Sequence, residues 1–251
     1  MKPYDKKFII DKIKEYDNKI DSAVVGSFEI LKRDSLEGEV EGYLYTKSDI
    51  ITGPIPELVG QDKQIWMRLS PKEIEGSYEF IKYATGKVGI VGLGLGYVAQ
   101  ELAKKKDVKK IVVYEISEDV VELYKRNFGE NDKIEIIVGD AFKAERNEFD
   151  FFYSDIYEYK LSMKVVEDYI KFNEIHDIKE YSFFGIEHFL LSCKYEEIVW
   201  VYIPEIWMAM CKELSEALDK SGYIKFYKQL DEELVSEVLA GFKKVLNAGL
   251  E

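Results

Sequence analysis

One stretch constrains this chain more than any other: Val88-Gly89-Ile90-Val91-Gly92-Leu93-Gly94-Leu95-Gly96-Tyr97, an apolar run closing in three alternating glycines. A near-continuous aliphatic run reads as a strand buried on both faces of a parallel sheet. Glycines just past its end let the backbone turn sharply and approach a ligand. The next apolar run, Ile111-Val112-Val113-Tyr114, ends in Glu115. A carboxylate at that strand tip can accept hydrogen bonds from both hydroxyls of a ribose. The pattern predicts a pocket for a nucleoside-containing cofactor.

The alternation continues downstream. Ser117 is placed to cap a helix bearing Val120, Val121, Leu123, Tyr124 and Phe128. Strands come next at 134–138, ending in Gly139-Asp140, and at 149–153, ending in Ser154-Asp155. Beyond 161 the spacing predicts helices over 161–172, 203–218 and 232–246, and strands over 181–186 and 222–227. Strands alternating with helices predict an α/β fold with a doubly wound, mostly parallel sheet.

Upstream the texture differs. Residues 6–20 have helical apolar spacing, and short runs at 27–31 and 40–45 read as strands among Gly38, Gly53, Pro54 and Pro56. The expected division is a small N-terminal helix and β-rich extension over 1–66, followed by the cofactor-binding domain over 67–251. Ser70-Pro71-Lys72-Glu73 has capping-box spacing and predicts a helix carrying Ile74, Tyr78 and Ile81 on one face, with Gly86 as its left-handed cap.

Four successive strands thus end in glycines, Glu115, Asp140 and Asp155 at the edge where open sheets of this kind bind ligands. Each signal alone has a bland reading: glycines ease helix packing, and an acidic residue after a strand often only caps a helix. Two other cofactors can be weighed against the residues. Gly94-Leu95-Gly96-Tyr97-Val98-Ala99 satisfies the G-x-G-x-x-A form of a dinucleotide fold, and Glu115 has the right separation. That fingerprint does not need Asp140, and no separate domain for a hydride acceptor is evident. No Gly-Lys-Ser/Thr comes after the glycines, which excludes a P-loop.

With this pattern in place, residues 88–157 resemble the core of class I S-adenosylmethionine-dependent methyltransferases, and most closely the spermidine-synthase-like branch. Gly92 to Tyr97 matches that branch's glycine turn, and Val113-Tyr114-Glu115-Ile116 its ribose-binding strand end. Val138-Gly139-Asp140-Ala141-Phe142 matches its adenine-contacting turn, and 149–155 the strand that delivers its catalytic aspartate. An N-terminal β extension is also typical of it. The resemblance implies S-adenosylmethionine as cofactor, held by Gly92, Gly94, Gly96, Tyr97, Glu115, Ile116, Asp140 and Ala141. Leu95 stands where aminopropyltransferases carry an aspartate, and Ile156-Tyr157-Glu158 replaces their Asp-Pro segment. Methyl transfer is therefore expected over aminopropyl transfer, with a non-catalytic cofactor-binding protein as the further alternative. Asp155 is expected to orient an acceptor amine or hydroxyl or take its proton, with Tyr157 as a lesser catalytic partner.

Composition bears on partners. Net charge is −13, from 35 Lys+Arg against 48 Asp+Glu. Such a balance disfavours bulk nucleic-acid binding, which needs clustered cations; the acceptor is expected to be a small molecule or an amine. The lysines at 104–106, 109 and 110 read as a solvated helix end. Cys193 and Cys211 lack metal-ligand spacing and read as buried free thiols of a cytoplasmic protein. His188 is expected in the core and His176 on the surface, with no metal site. No signal peptide or membrane span is expected. A homo-oligomer stays open.

Overall fold

Alternate residues of the central strands go to opposite faces, and this sorts the interior into two apolar layers. In the computed structural model, which describes residues 2–36, 51–157 and 160–248, Val88, Ile90, Ile111 and Val113 face one layer, while Val91, Val112, Tyr114 and Phe152 face the other. These strands are β5 (Gly86–Val91), β6 (Val108–Glu115), β7 (Ile134–Val138), β8 (Glu148–Ser154) and β9 (Asp177–Phe183). They form a five-stranded sheet in the order β7-β6-β5-β8-β9, with every pairing parallel. The chain builds outward from β5 to β7, then returns to β8 on the other side of β5. The two directions part at the carboxyl end of β5, where a doubly wound sheet opens a crevice.

Helices cover both faces. On one lie α1 (Lys6–Asp17), α4 (Tyr97–Ala103) and α5 (Glu118–Phe128); on the other lie α6 (Lys164–Ile175), α7 (Ile186–Ser192) and α10 (Glu232–Leu246). Helix α9 (Glu205–Ser221) contributes the fully buried Trp207, whose indole N–H donates to the Tyr181 carbonyl at 2.6 Å. Ser117 caps α5 by accepting from the Val120 N–H at 3.3 Å. Glu118 and Asp119 in its first turn, and Lys125 and Arg126 in its last, complement the helix dipole.

The N-terminal part forms a separate antiparallel sheet, β1 (Ala23–Val25), β2 (Phe28–Leu36), β3 (Ile51–Gly60) and β4 (Ile65–Arg68). It is fastened to the larger unit by polar contacts. The Asp119 carboxylate of α5 accepts from the Ser27 N–H at 2.8 Å, and the Tyr16 hydroxyl donates to Glu101 of α4 at 2.8 Å.

Four expectations need correction. The helix predicted after Pro71 is two short helices, α2 (Pro71–Gly76) and α3 (Tyr78–Tyr83), broken at Ser77; Ser70 makes no side-chain cap bond there. Gly86 has φ +67 but opens β5 instead of capping that helix. Residues 222–227 contain a 3₁₀ turn (Tyr223–Phe226), since Gly222 in the left-handed region turns the chain out of α9. His176 is buried at 1 % exposure among Tyr114, Phe149 and Phe152. Its ring accepts the Asn147 N–H, and burial drives its pKa down to about 4. Its polar sequence neighbours point to the surface, but the fold turns the ring inward. The strand expected over 40–45 lies outside the described residues.

Candidate functional site

The carboxyl edge of the parallel sheet borders a cleft of about 830 Å3, closed on its far side by β4 and α2. The glycine loop forms one wall. Gly92 has φ +96, and a Cβ there would lie 2.5 Å from the Asp155 carbonyl oxygen. Glycine is therefore required for β5 and β8 to end side by side. Gly94, at φ +52, would push a Cβ to 2.4 Å from the Met67 sulfur of β4. The loop is thus shaped as much by its protein neighbours as by any ligand.

Glu115 is 7 % exposed and anchors this wall. One carboxylate oxygen accepts the Leu93 N–H and the other the Ser117 N–H, both at 2.9 Å. Each oxygen retains a second lone pair for a ligand hydroxyl. Beside it, Ile116 is 69 % exposed, an apolar side chain set where a flat ring could cover it. Asp140 accepts the Phe142 N–H at 3.0 Å, capping a 3₁₀ turn (Ala141–Lys143), and also lines the cleft. The cap reading of this aspartate holds, and its place on the cleft leaves the site reading for the proposal below.

Asp155 and Tyr157 line the same cleft as Glu115, on the segment after β8. Burial pushes the Asp155 carboxyl up to about 7. The Tyr157 hydroxyl donates to Asp168 at 3.1 Å and accepts from Ser154 at 3.2 Å. Burial pushes its pKa upward, so the group is a fixed hydrogen-bonding element and its ring forms the wall. Of the sequence-predicted residues, Gly92, Gly94, Glu115, Ile116, Asp140, Ala141, Asp155 and Tyr157 come together on the cleft. Gly96 and Tyr97 do not line it. Tyr97 is buried behind the loop against Tyr16, ring centroids 5.0 Å apart.

Sequence reasoning misses the opposite wall. Trp66, Met67 and Arg68 of β4, Lys72 and Glu73 of α2, and Phe184 after β9 all border the cleft. Glu73 has the spacing of a capping box; instead it faces the cleft, and its Oε1 is buried without a hydrogen-bond partner. Burial and the nearby Asp155 charge push its carboxyl well above the ordinary range, opposed by Lys72. Only the acidic residue itself, two positions after Pro71, could have signalled it. His188 Nε2–H donates to the Lys228 carbonyl at 2.8 Å, a core contact. Cys193 and Cys211 are free, their thiols pushed up by burial to about 12 and about 11. Among the described residues no group of three or more His, Cys, Asp or Glu could hold a metal, and no helix is long and apolar enough to cross a membrane.

Residues 90–159 match the family model described as a methyltransferase domain. A curated relative, the probable ribosomal RNA small subunit methyltransferase A of Methanosarcina barkeri, is 37% identical over 75 residues. That match covers 30% of this chain and only 25% of the relative's length. Among solved structures, spermidine synthase from Thermotoga maritima superposes with a TM-score of 0.38 at 17% identity, over 63% of this chain and 53% of that one. Haemonchus contortus phosphoethanolamine N-methyltransferase 1, solved with phosphoethanolamine and S-adenosylhomocysteine, gives 0.33 at 13% identity, over 41% and 23%. The assignment rests on neither structure. Residues 90–159 therefore match a methyltransferase domain, set on a doubly wound parallel sheet, and S-adenosylmethionine is the cofactor of such a domain. The residues present suit it: a glycine-walled turn, a carboxylate with free lone pairs, and an exposed isoleucine beside them.

One expectation is overturned by these findings. The acidic net charge argues against bulk nucleic-acid binding, yet the matched relative is named for ribosomal RNA. Whole-chain charge is the wrong measure, because phosphate contacts depend on the local field. Lys143, Lys164 and Lys171 are all exposed beside the cleft, on the 3₁₀ turn and on α6 packed against it.

Proposed function

We propose that this protein transfers a methyl group from S-adenosylmethionine to an amino group of an RNA base. The observation that carries the reading is Asp155, a carboxylate with a raised pKa that lines the same cleft as Glu115 and several aromatic side chains. The RNA acceptor is supported by the name of the matched relative and by the cations beside the cleft.

In this reading Gly92 and Gly94 let the loop backbone approach the cofactor, Glu115 accepts from its ribose hydroxyls, and Ile116 and Ala141 pack on its adenine. Asp140 takes the adenine amino group. When bound, the cofactor supplies an electrophilic methyl on a sulfonium. The demand on the chain is then alignment. Asp155 accepts a hydrogen bond from the acceptor amine, which turns the nitrogen lone pair toward the methyl. Trp66, Tyr157 and Phe184 offer ring faces for a base taken out of its stack, and Lys143, Lys164 and Lys171 meet phosphates. Membership of the spermidine-synthase-like branch belongs to this proposal too, through the sequence match at 92–97 and the β extension that walls the cleft.

The test is transfer of labelled methyl to RNA from an archaeal or bacterial extract, with and without ribonuclease. Label in ribonuclease-sensitive material supports the reading. Label confined to small molecules, or transfer only from decarboxylated S-adenosylmethionine to a polyamine, refutes it.

A further inference from the structure

The apolar stripe of α6 contains one carboxylate. Val165, Val166 and Phe172 are buried as the helical period requires, and Asp168 is buried with them at 1 % exposure. Its Oδ1 has no hydrogen-bond partner there. A buried oxygen left unpaired weakens a fold, and a leucine of the same branching would avoid that loss. Packing does not account for an aspartate at this position.

Its other oxygen does. Asp168 Oδ2 accepts the Tyr157 hydroxyl at 3.1 Å and lies 4.0 Å from the Lys164 Nζ, one turn earlier on α6. The Tyr157 hydroxyl accepts in turn from Ser154 at the end of β8, at 3.2 Å. The phenol is thus held from two sides, by the sheet and by the helix. Tyr157 and Lys164 both line the cleft, whereas Asp168 does not. Tyr157 also borders a second, small cavity of about 20 Å3, shared with Leu161, Val165, Phe183 and His188. Phe183 meets the ring edge-on, centroids 6.2 Å apart. The ring therefore stands between two open spaces, where close packing alone does not fix its tilt. Hydrogen bonds at its hydroxyl do.

We infer that Asp168 is a positioning residue for the acceptor: by holding the Tyr157 hydroxyl it fixes the aromatic wall against which an acceptor ring is laid. What lies on that wall rests on the RNA-base reading; the lock itself rests on the hydrogen-bond geometry. A base whose amino group must point at the methyl needs a flat support of fixed orientation. A ring free to swing toward the small cavity would widen the cleft and misalign the acceptor, leaving the residues assigned to the cofactor untouched. Asp168 meets neither substrate nor cofactor, so its loss should act through Tyr157.

The first arm of the test needs no substrate. With 3-fluorotyrosine placed at position 157, fluorine NMR should show one sharp ring environment in the wild type. Asp168→Leu should broaden or split that signal, and Asp168→Asn, whose amide oxygen still accepts from the phenol, should restore it. In turnover, Asp168→Leu should raise the acceptor KM about tenfold, with the Kd for S-adenosylhomocysteine unmoved and Asp168→Asn recovering most of the loss. Tyr157→Phe removes the same hydrogen bond from the other side, so it should match Asp168→Leu, and the double variant should be no worse than either. It also serves if Asp168→Leu does not fold. An unchanged fluorine signal in Asp168→Leu, additive losses in the double variant, or equal loss of cofactor and acceptor binding overturns the inference. A locked ring in a protein that methylates no RNA keeps the lock and sinks the acceptor reading instead.

Discussion

The two halves of the cleft are built differently. The half proposed to hold the cofactor is assembled from strand ends of one sheet: the glycine loop after β5, Glu115 at the tip of β6, and Asp140 after β7. Its key side chain is tied to backbone on both sides, since both Glu115 oxygens accept main-chain N–H groups. The half proposed to meet the acceptor is drawn from β4, α2, the segment after β8 and the residue after β9. Its charged groups are underpaired: the buried Glu73 oxygen has no donor, and Asp155 has a raised pKa. A half that only holds a ligand can be fully satisfied in advance. One that must pass a proton has to keep capacity unsatisfied, a strain tolerated because the surrounding fold is secure.

Substitutions in either half should set the two apart. The largest effect is expected from Gly92→Ala, because the added Cβ meets backbone and the residue sits at φ +96. Destabilisation of about 3 kcal/mol or more is expected in denaturant unfolding; a loss of only a few tenths would mean the loop can move away. Next comes Asp155→Asn. Turnover should fall by about a hundredfold with S-adenosylhomocysteine affinity retained, and in the wild type the rate should rise with pH through about 7 as Asp155 ionises. Equal losses in both measurements would erase the division between the halves.

A smaller effect is expected from Trp66→Ala. The Trp66 side chain is 58 % exposed at the acceptor wall. Its loss should raise the acceptor KM about tenfold through lost stacking, with the cofactor Kd unmoved. The smallest effect is on stability. A carboxyl whose folded pKa is raised from 3.8 to about 7 favours folding below its unfolded value and loses that contribution as pH rises toward 7. Thermal melts should therefore show Asp155→Asn gaining a few degrees over the wild type at pH 8 and less at pH 5. A gap independent of pH would show that Asp155 is not the titrating group.

The same division explains which features are legible in the sequence. Strand tips are contiguous in sequence with the runs that form them, so Gly92, Gly94, Glu115, Asp140 and Asp155 can be read as the polar or glycine residues closing each apolar run. Strand β7 and helix α10 are readable to the residue for the same reason, having strong periodicity and clear ends. The opposite wall depends on how a separate antiparallel sheet docks on α1 and α5, through contacts such as Ser27 to Asp119 that no local pattern announces. Glu73 resembles a helix cap because its spacing from Ser70 allows that, and only the tertiary arrangement turns it to the cleft. His176 misleads in the same way: its polar neighbours in sequence are not its neighbours in space. The parallel sheet's doubly wound order, in contrast, comes from strand–helix alternation alone.

The proposed chemistry depends on strand tips of this sheet holding a sulfonium nucleoside through Glu115. The decisive experiment is calorimetry with S-adenosylhomocysteine on the wild type and on Glu115→Ala. Saturable binding is expected for the wild type, about a hundredfold weaker binding for the variant, and none of NADH by either. Absent binding to the wild type, or equal binding by the two proteins, would contradict that role for the strand tips.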